Sequence, residues 1–122
     1  MNEEKENIIK NKSYDFALRI IKLHKHLCDD KKEYVLSKQV LRSGTSIGAN
    51  VEEAIGGITK KDFLNKMFNA YKEARETYYW IRLLKDSDIL ESKIAFSLLK
   101  DCDIIIKILG KIISTSRKVT EH

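Results

Sequence analysis

Residues 37–84 of this chain read SKQVLRSGTSIGANVEEAIGGITKKDFLNKMFNAYKEARETYYWIRLL. The pair Gly56-Gly57 divides this stretch into two segments, and apolar residues recur at helical spacing in both. In the second segment one apolar series alternates steps of four and three residues: Phe63, Met67, Ala70, Ala74, Thr77, Ile81 and Leu84. This alternation is typical of helices that pack with nearly aligned axes in a left-handed bundle. The stretch therefore predicts two neighbouring helices of a bundle.

The rest of the chain supplies two further helical patterns. We predict helices over residues 13–28, 31–55, 60–85 and 90–114, joined by short connections. The expected capping residues are Ser13, Asp30 with Glu33, Thr59 with Asp62, and Asp88 with Glu91. We expect Gly56-Gly57 to end the second helix in the left-handed conformation. The predicted fold class is all-α, an up-and-down antiparallel four-helix bundle spanning residues 13–116, between flexible segments at 1–12 and 117–122.

Small residues inside the second predicted helix indicate close packing. Gly44 and Gly48 lie within it, although a glycine inside a helix costs about 0.5–1 kcal/mol relative to alanine. Close approach of a neighbouring backbone is the usual reason for keeping such a residue. We therefore expect another helix to pass close to these two glycines.

The composition is that of one small domain. The chain has 122 residues, no proline and a net charge of +5, from 23 basic and 18 acidic side chains. No apolar run approaches the roughly 18 residues needed to span a bilayer, and the charged N-terminus does not read as a secretory signal. We therefore expect no membrane partner and a cytoplasmic location. Cys28 and Cys102 lie inside helical patterns, and we expect both to be free thiols.

No arrangement of residues predicts catalysis or a cofactor. His24 and Cys28 have i, i+4 spacing, but two ligands do not make a metal site, and no histidine follows in the later predicted helices. Two roles are open to the glutamates of the second and third predicted helices. They could form a catalytic carboxylate pair, or a structural network with Arg42, Arg75 and the tyrosines. These glutamates are Glu52, Glu53, Glu73 and Glu76. We favour the network and predict a protein that is not an enzyme and holds no metal or cofactor.

Basic residues form two candidate nucleic-acid-binding surfaces. At 100° per residue, five lysines of the fourth predicted helix fall within about 20° of one line. They are Lys93, Lys100, Lys107, Lys111 and Lys118, called the lysine ridge below. A second patch on the first predicted helix comprises Arg19, Lys22, Lys25 and His26. Either surface is suited to phosphates, and the alternative is a solvated face that keeps the protein soluble.

The third predicted helix carries aromatic residues on more than one face. Tyr78 lies beside the core series, whereas Tyr79 and Trp80 point elsewhere. One four-helix bundle cannot easily bury them all, and exposed apolar patches usually mark interfaces. We therefore predict a homo-oligomer with Tyr79 and Trp80 at a subunit interface. Stacking of these rings on nucleic-acid bases is the alternative.

Three segments resemble the family of small bacterial four-helix-bundle proteins encoded within 23S ribosomal RNA genes, the intervening-sequence proteins. These segments are LRSGTSIGANVEEA at 41–54, DFLNKM at 62–67 and KEARETYYWIRLL at 72–84. The resemblance implies a ring-like homopentamer, and the family is similar to the basic accessory proteins of diversity-generating retroelements. It also implies a shared polar and aromatic set: Ser46, Asn50, Glu53, Glu73, Glu76, Tyr79 and Trp80. The chain departs from the family pattern at Glu52 and Ala54.

Two hypotheses of function follow. The first is a non-enzymatic protein that associates with RNA or DNA through the basic surfaces of a homo-oligomer, since five chains at +5 carry about +25 in total. The alternative is a scaffold or accessory subunit that contacts an unidentified protein and has no direct role with nucleic acid. Reversing charges of the lysine ridge separates the two, because only the first hypothesis requires those charges.

Overall fold

The computed structural model describes the backbone of residues 3–121 and the side chains of residues 3–118. This part of the chain forms four helices and no strand: α1 (Glu3–Asp29), α2 (Leu36–Ile55), α3 (Lys60–Asp86) and α4 (Ser92–Glu121). Each helix packs on the next one along the chain, and α4 closes the bundle against α1 through the least extensive of the four contacts. Because the connections are short, successive helices run antiparallel. The predicted all-α four-helix bundle is confirmed.

The outer helices are longer than predicted. α1 begins at Glu3, so Ser13 is not its N-cap but lies inside the helix and donates a hydrogen bond to the Lys10 carbonyl at 3.2 Å. Ile9 is fully buried, which extends the core face of α1 beyond the predicted start. α4 likewise continues past residue 116, where Ser116 is buried. The predicted boundaries at 12/13 and 116/117 are therefore wrong, while flexibility at Met1, Asn2 and His122 lies outside the described residues.

The start of α2 is set by a carboxylate that lies before the helix. The helix begins at Leu36 rather than at residue 31, because Lys32 takes a left-handed conformation with φ of 56°. The Glu33 carboxylate then accepts hydrogen bonds from the backbone N–H groups of Leu36 at 3.1 Å and Ser37 at 2.8 Å. These groups have no partner within the helix, so Glu33 replaces the predicted Asp30 cap.

Of the other helix ends, one is capped as predicted and two differ from the prediction. Thr59 caps α3 as predicted, since its hydroxyl accepts a hydrogen bond from the Asp62 N–H at 3.0 Å. Gly56 does end α2, but with φ of −81°, so the predicted left-handed conformation is wrong. Asp88 takes that conformation instead, with φ of 62°, in the turn before α4. Because Asp88 lies in that turn, it does not cap α4, which begins only at Ser92.

The core is one continuous set of mostly aliphatic side chains, together with Phe16, Met67 and Cys102, and all four helices contribute to it. Two polar pairs lie within it. The Thr77 hydroxyl donates to the Ser43 hydroxyl at 2.8 Å, which joins α3 to α2. The Cys102 thiol donates to the Ala74 carbonyl at 3.2 Å, which joins α4 to α3. Hydrogen bonding of these buried groups avoids the cost of about 1–3 kcal/mol that an unpaired polar group incurs.

The two glycines of α2 face α1, as predicted. A Cβ atom placed on Gly44 would lie 2.7 Å from Cγ1 and 2.8 Å from Cγ2 of Ile20. A Cβ on Gly48 would lie 3.4 Å from the Ser13 carbonyl oxygen, at the edge of ordinary contact. Gly44 is therefore the position where α1 and α2 come too close for any side chain.

Gly44→Ala should destabilise the protein by about 1–3 kcal/mol, as overpacked core substitutions do. Ile20 is fully buried and β-branched, so it cannot rotate away from the new methyl group. Urea unfolding followed by circular dichroism measures the change. The matched control is Gly110→Ala in α4, where the nearest atom, Tyr71 Cε1, would lie at 3.7 Å. This control should be neutral or stabilising by up to about 1 kcal/mol, and equal stability of the two variants would contradict the argument.

Candidate nucleic-acid interface

The lysine ridge lies on the solvent-facing side of α4, and all five of its lysines are exposed. Lys107 pairs with Asp103 at 2.9 Å, and the hydrogen bond to that carboxylate raises the pKa of Lys107. Among the described residues the other four ridge lysines form no ion pair within 4.0 Å. The ridge therefore presents mostly uncompensated positive charge.

Two clefts follow one another along the boundary between α3 and α4, beside the ridge, and are treated together as one groove. Residues of both helices line it: Phe68, Tyr71, Arg75, Tyr78, Tyr79 and Arg82 from α3, and Asp103, Ile106, Gly110, Ile113, Ser114, Arg117 and Lys118 from α4. We call this the α3–α4 groove. Arg75, Arg82, Arg117 and Lys118 are exposed along it, and Asp103 is the one acidic side chain among these lining residues. The groove thus adds cations of α3 to those of the ridge.

Aromatic rings and cations alternate along this face of the bundle. Lys72 Nζ lies 5.7 Å from the ring centre of Phe68, and the Arg75 guanidinium lies 5.8 Å from that of Tyr71. At the other end, Lys85 Nζ of α3 lies 5.0 Å from the ring centre of Phe96 of α4. All three cation–π pairs of the described residues therefore lie on α3 and α4.

The second predicted basic patch does not form a free surface. Arg19 Nη1 pairs with Asp101 of α4 at 2.6 Å, and its Nη2 donates to the Ser97 hydroxyl at 3.0 Å. Arg19 therefore joins α1 to α4 instead of facing solvent alone. His26 pairs with Asp30 at 2.7 Å. Lys22 and Lys25 remain exposed, but the structure does not bring them together with the ridge.

Three members of the predicted polar and aromatic set meet in one network on the α2–α3 side, completed by Arg42. The Arg42 guanidinium bonds Glu73 at 3.1 Å and also bonds Glu76. The Trp80 indole N–H donates to the Glu76 carboxylate at 2.9 Å. Partial burial raises the pKa of Glu76, but the hydrogen bonds from Trp80 and Arg42 outweigh it, so its pKa lies below the ordinary value. Glu76 is therefore held as a carboxylate at neutral pH.

The other members of the set have separate contacts. Ser46 donates to the Arg42 carbonyl at 2.6 Å, and the Asn50 amide donates to the Ser46 carbonyl at 2.9 Å. Glu53 pairs with Lys66 at 3.4 Å. The Tyr79 ring meets Trp80 edge to face, with ring centres 5.3 Å apart. Tyr79 is 51% exposed in the single chain, which leaves both predicted roles open: burial of Tyr79 and Trp80 between subunits, or stacking of these rings on bases.

Only two of the four glutamates, Glu73 and Glu76, lie in the predicted network with Arg42, whereas Glu52 and Glu53 pair with lysines outside it. Glu52 approaches Lys10 at 3.9 Å, and Arg75 donates to the Tyr71 hydroxyl at 3.2 Å rather than to a carboxylate. Cys28 Sγ lies 3.7 Å from His24 Nε2. Within residues 3–118, no three His, Cys, Asp or Glu side chains are grouped so as to hold a metal ion. None of the described helices is long and apolar enough to cross a membrane.

The sequence reasoning missed the cations of α3 and the ring of Phe96. Arg75 and Arg82 are seven residues apart, the same helical signal that revealed the ridge. This spacing predicts that the two arginines share one line of α3, but not that the line lies beside α4. Phe96 lies about 40° from the ridge line on α4, a placement that helical geometry alone predicts.

The fold and these surfaces define a small all-α protein, an up-and-down four-helix bundle with a basic face on α3 and α4. The chain belongs to the 23S rRNA-intervening sequence protein family, whose model matches residues 5–111. It is similar to a crystal structure from Bacteroides thetaiotaomicron, a protein with unknown function from the S23 ribosomal protein family. The two share 46% sequence identity and superpose with a TM-score of 0.89 over 90% of this chain and 98% of that one. No curated protein matches this sequence.

Proposed function

We propose that this protein binds RNA through the lysine ridge and the α3–α4 groove, as a non-enzymatic homo-oligomer of the cytoplasm. The observation that carries the proposal is the convergence of cations from two helices on one face, with Asp103 as the one acidic residue among the groove's lining residues. The family's relation to 23S ribosomal RNA genes supports RNA as the nucleic acid.

The chemistry of such a surface is simple. Lysine and arginine side chains neutralise phosphates and release the counterions condensed on the nucleic acid, which favours binding at low salt. Contacts to phosphates position the strand but do not read its sequence. We therefore expect binding with little sequence preference, in which Lys100, Lys111 and Lys118 act together with Arg75 and Arg82.

A homo-oligomer is supported by an apolar stripe on α1. Tyr14, Leu18 and Ile21 follow one another at helical spacing and are 64%, 47% and 39% exposed. α1 lies diagonally across the bundle from α3, so an interface on this stripe leaves the α3–α4 groove open. The family resemblance favours five subunits, which would place about five copies of the basic face on one particle. Analytical ultracentrifugation tests this, and a monomer at micromolar concentration would exclude it.

The first experiment is a titration of the purified protein against fluorescent structured RNA and duplex DNA at several salt concentrations. We expect the logarithm of the binding constant to fall linearly with the logarithm of the salt concentration. The slope is about −0.9 per neutralised phosphate for a duplex and about −0.7 for a single strand. Absence of binding at low salt would overturn the proposal.

Reversal of Lys100, Lys107 and Lys111 to glutamate should weaken binding at least about tenfold and reduce the slope by about 2 on single-stranded RNA. The matched control reverses Lys22, Lys25 and Lys38, three exposed lysines of α1 and α2, and makes the same change in net charge. We expect the control to keep most of the affinity. The same loss in both variants would mean that total charge, not this face, decides binding.

The exposed α1 stripe also favours a second candidate, a scaffold that contacts another protein through Tyr14, Leu18 and Ile21. In that case reversal of the ridge lysines would change no binding. Replacing Leu18 with aspartate would instead abolish capture of the partner protein in pull-downs. If Leu18→Asp only dissociates the homo-oligomer, the stripe is a subunit interface.

A further inference from the structure

Three aromatic rings on the basic face of α3 and α4 are exposed to solvent. Phe68, Tyr79 and Phe96 are 46%, 51% and 60% exposed. Phe68 and Tyr79 line the α3–α4 groove, and Phe96 lies beside the ridge against Lys85. Exposed aromatic rings are costly in water, so their concentration among phosphate-binding cations points to a ligand that has flat apolar surface as well as negative charge.

Each ring is held in place on one side by another side chain. Phe68 stacks on Tyr71 with ring centres 6.3 Å apart, and Tyr79 packs against Trp80. Lys85 covers one part of Phe96. The rings are thus pre-positioned, and a ligand that stacks on their exposed surfaces would lose little side-chain freedom.

The spacing of the rings suits a strand that lies along the groove. At 1.5 Å per residue, Phe68 and Tyr79 are separated by about 16 Å along α3. Lys85, which marks the level of Phe96, lies about 9 Å further along the same axis. Cations occupy the intervals, with Arg75 between the first two rings and Arg82 between Tyr79 and Lys85.

The identity of the ligand follows from what each kind of nucleic acid can offer. In a duplex the bases are stacked on one another inside the helix, so exposed rings at its surface meet sugars and phosphates. A single strand presents both phosphates and free base faces, and aromatic side chains bind such faces in any sequence. We infer that the α3–α4 groove binds single-stranded RNA, with unpaired bases stacked on Phe68, Tyr79 and Phe96 and phosphates held by the cations between them. This inference rests on the proposed function and narrows it.

Substitution of the rings by leucine tests the inference. The triple variant Phe68→Leu, Tyr79→Leu and Phe96→Leu keeps the charge and most of the apolar bulk but removes the flat ring surfaces. Its affinity for a fluorescein-labelled oligouridylate should fall at least about tenfold, since stacking of one base on one ring accounts for about that factor. Its affinity for an RNA duplex should stay within about twofold, and its salt slope should not change, because no phosphate contact is lost.

The control is Tyr34→Leu, which removes a similarly exposed ring from the connection between α1 and α2, outside both the groove and the α1 stripe. It should bind oligouridylate like the unchanged protein. Inorganic polyphosphate, which has charge but no bases, should compete less well with oligouridylate than an unlabelled single strand does. Thermal unfolding of each variant checks that the fold is intact, as expected for exposed positions.

The outcomes separate this inference from the proposed function. An unchanged affinity of the triple variant for oligouridylate, or an equal loss for single strand and duplex, overturns single-strand stacking while binding of RNA through the charges stands. If neither the ring variant nor the lysine-reversal variant loses binding, both the proposed function and this inference are overturned. A selective loss for the single strand in the ring variant, with loss for both ligands in the lysine-reversal variant, supports both.

Discussion

Ile20→Ala is expected to destabilise the bundle by about 2–5 kcal/mol. The Ile20 side chain is fully buried and fills the place where α1 crosses α2 at Gly44. Its removal loses the transfer free energy of three carbon atoms and leaves a cavity between two helices that are already at closest approach. Urea unfolding followed by circular dichroism should show a lower midpoint with an unchanged slope.

The effect of Gly44→Ala on the free energy of unfolding should depend on whether Ile20 is present. Gly44→Ala is destabilising when Ile20 is present, because the new Cβ would lie 2.7 Å from Ile20 Cγ1. In the Ile20→Ala background the two Cγ atoms are absent and only the Cβ of residue 20 remains, 3.2 Å from the added Cβ, so the effect of Gly44→Ala should fall close to zero as helix propensity offsets this contact. The double-mutant cycle should therefore give a coupling energy of about 1–3 kcal/mol. Additive effects of the two substitutions would show that the glycine is not kept for close packing against Ile20.

Cys102 should be nearly inert to thiol reagents in the folded protein. Burial, with smaller contributions from Asp103 and Asp101, raises the pKa of Cys102 to about 12. At pH 8 only about one such thiol in 10⁴ is ionised, against about one in ten for a thiol of ordinary pKa, and only the thiolate reacts. Native Cys102 should therefore react at least about 10³-fold more slowly than an exposed cysteine, measured with a chromogenic disulfide reagent.

Single-cysteine variants separate the two thiols. Cys28→Ser leaves Cys102 as the reporter, and its rate should rise to that of a free thiol in concentrated denaturant. Cys102→Ser leaves Cys28, which is only half-buried and should react faster in the native state. Rapid native labelling of Cys102 would mean that the core between α3 and α4 opens often. That result would also indicate that the α3–α4 groove is not rigid.

The candidate site was only partly readable in the sequence. The lysine ridge was predictable because a helix places residues seven apart on one line, and its side chains are exposed as expected. The sequence does not reveal that Arg19 is paired, because its partner Asp101 is distant in the sequence and adjacent only in the bundle. The spacing of Arg75 and Arg82 puts both on one line of α3, but that this line lies beside α4 depends on how the two helices are rotated against each other.

The contacts of the Arg42 network are predictable from the sequence only in part. The sequence predicted that Glu73 and Glu76 belong to a structural network with Arg42, and the contacts agree. It does not predict that Trp80 donates to Glu76, because the helical pattern only places Trp80 away from the core series. Side chains at i and i+4 on one helix can always meet, but whether they do depends on what the neighbouring helix offers.

The sequence by itself determined the number of helices, the apolar face of each and the close approach at Gly44, because these follow from local periodicity and residue size. It also determined membership of the family through the segments in α2 and α3. Only the three-dimensional structure decided where α1, α2 and α4 begin and end. Buried Ile9 acts through packing between helices, and the Glu33 carboxylate acts through local hydrogen bonds at the start of α2 that the apolar pattern does not reveal. The three-dimensional structure also decided which charges are free, because a charge pairs in space and not along the chain.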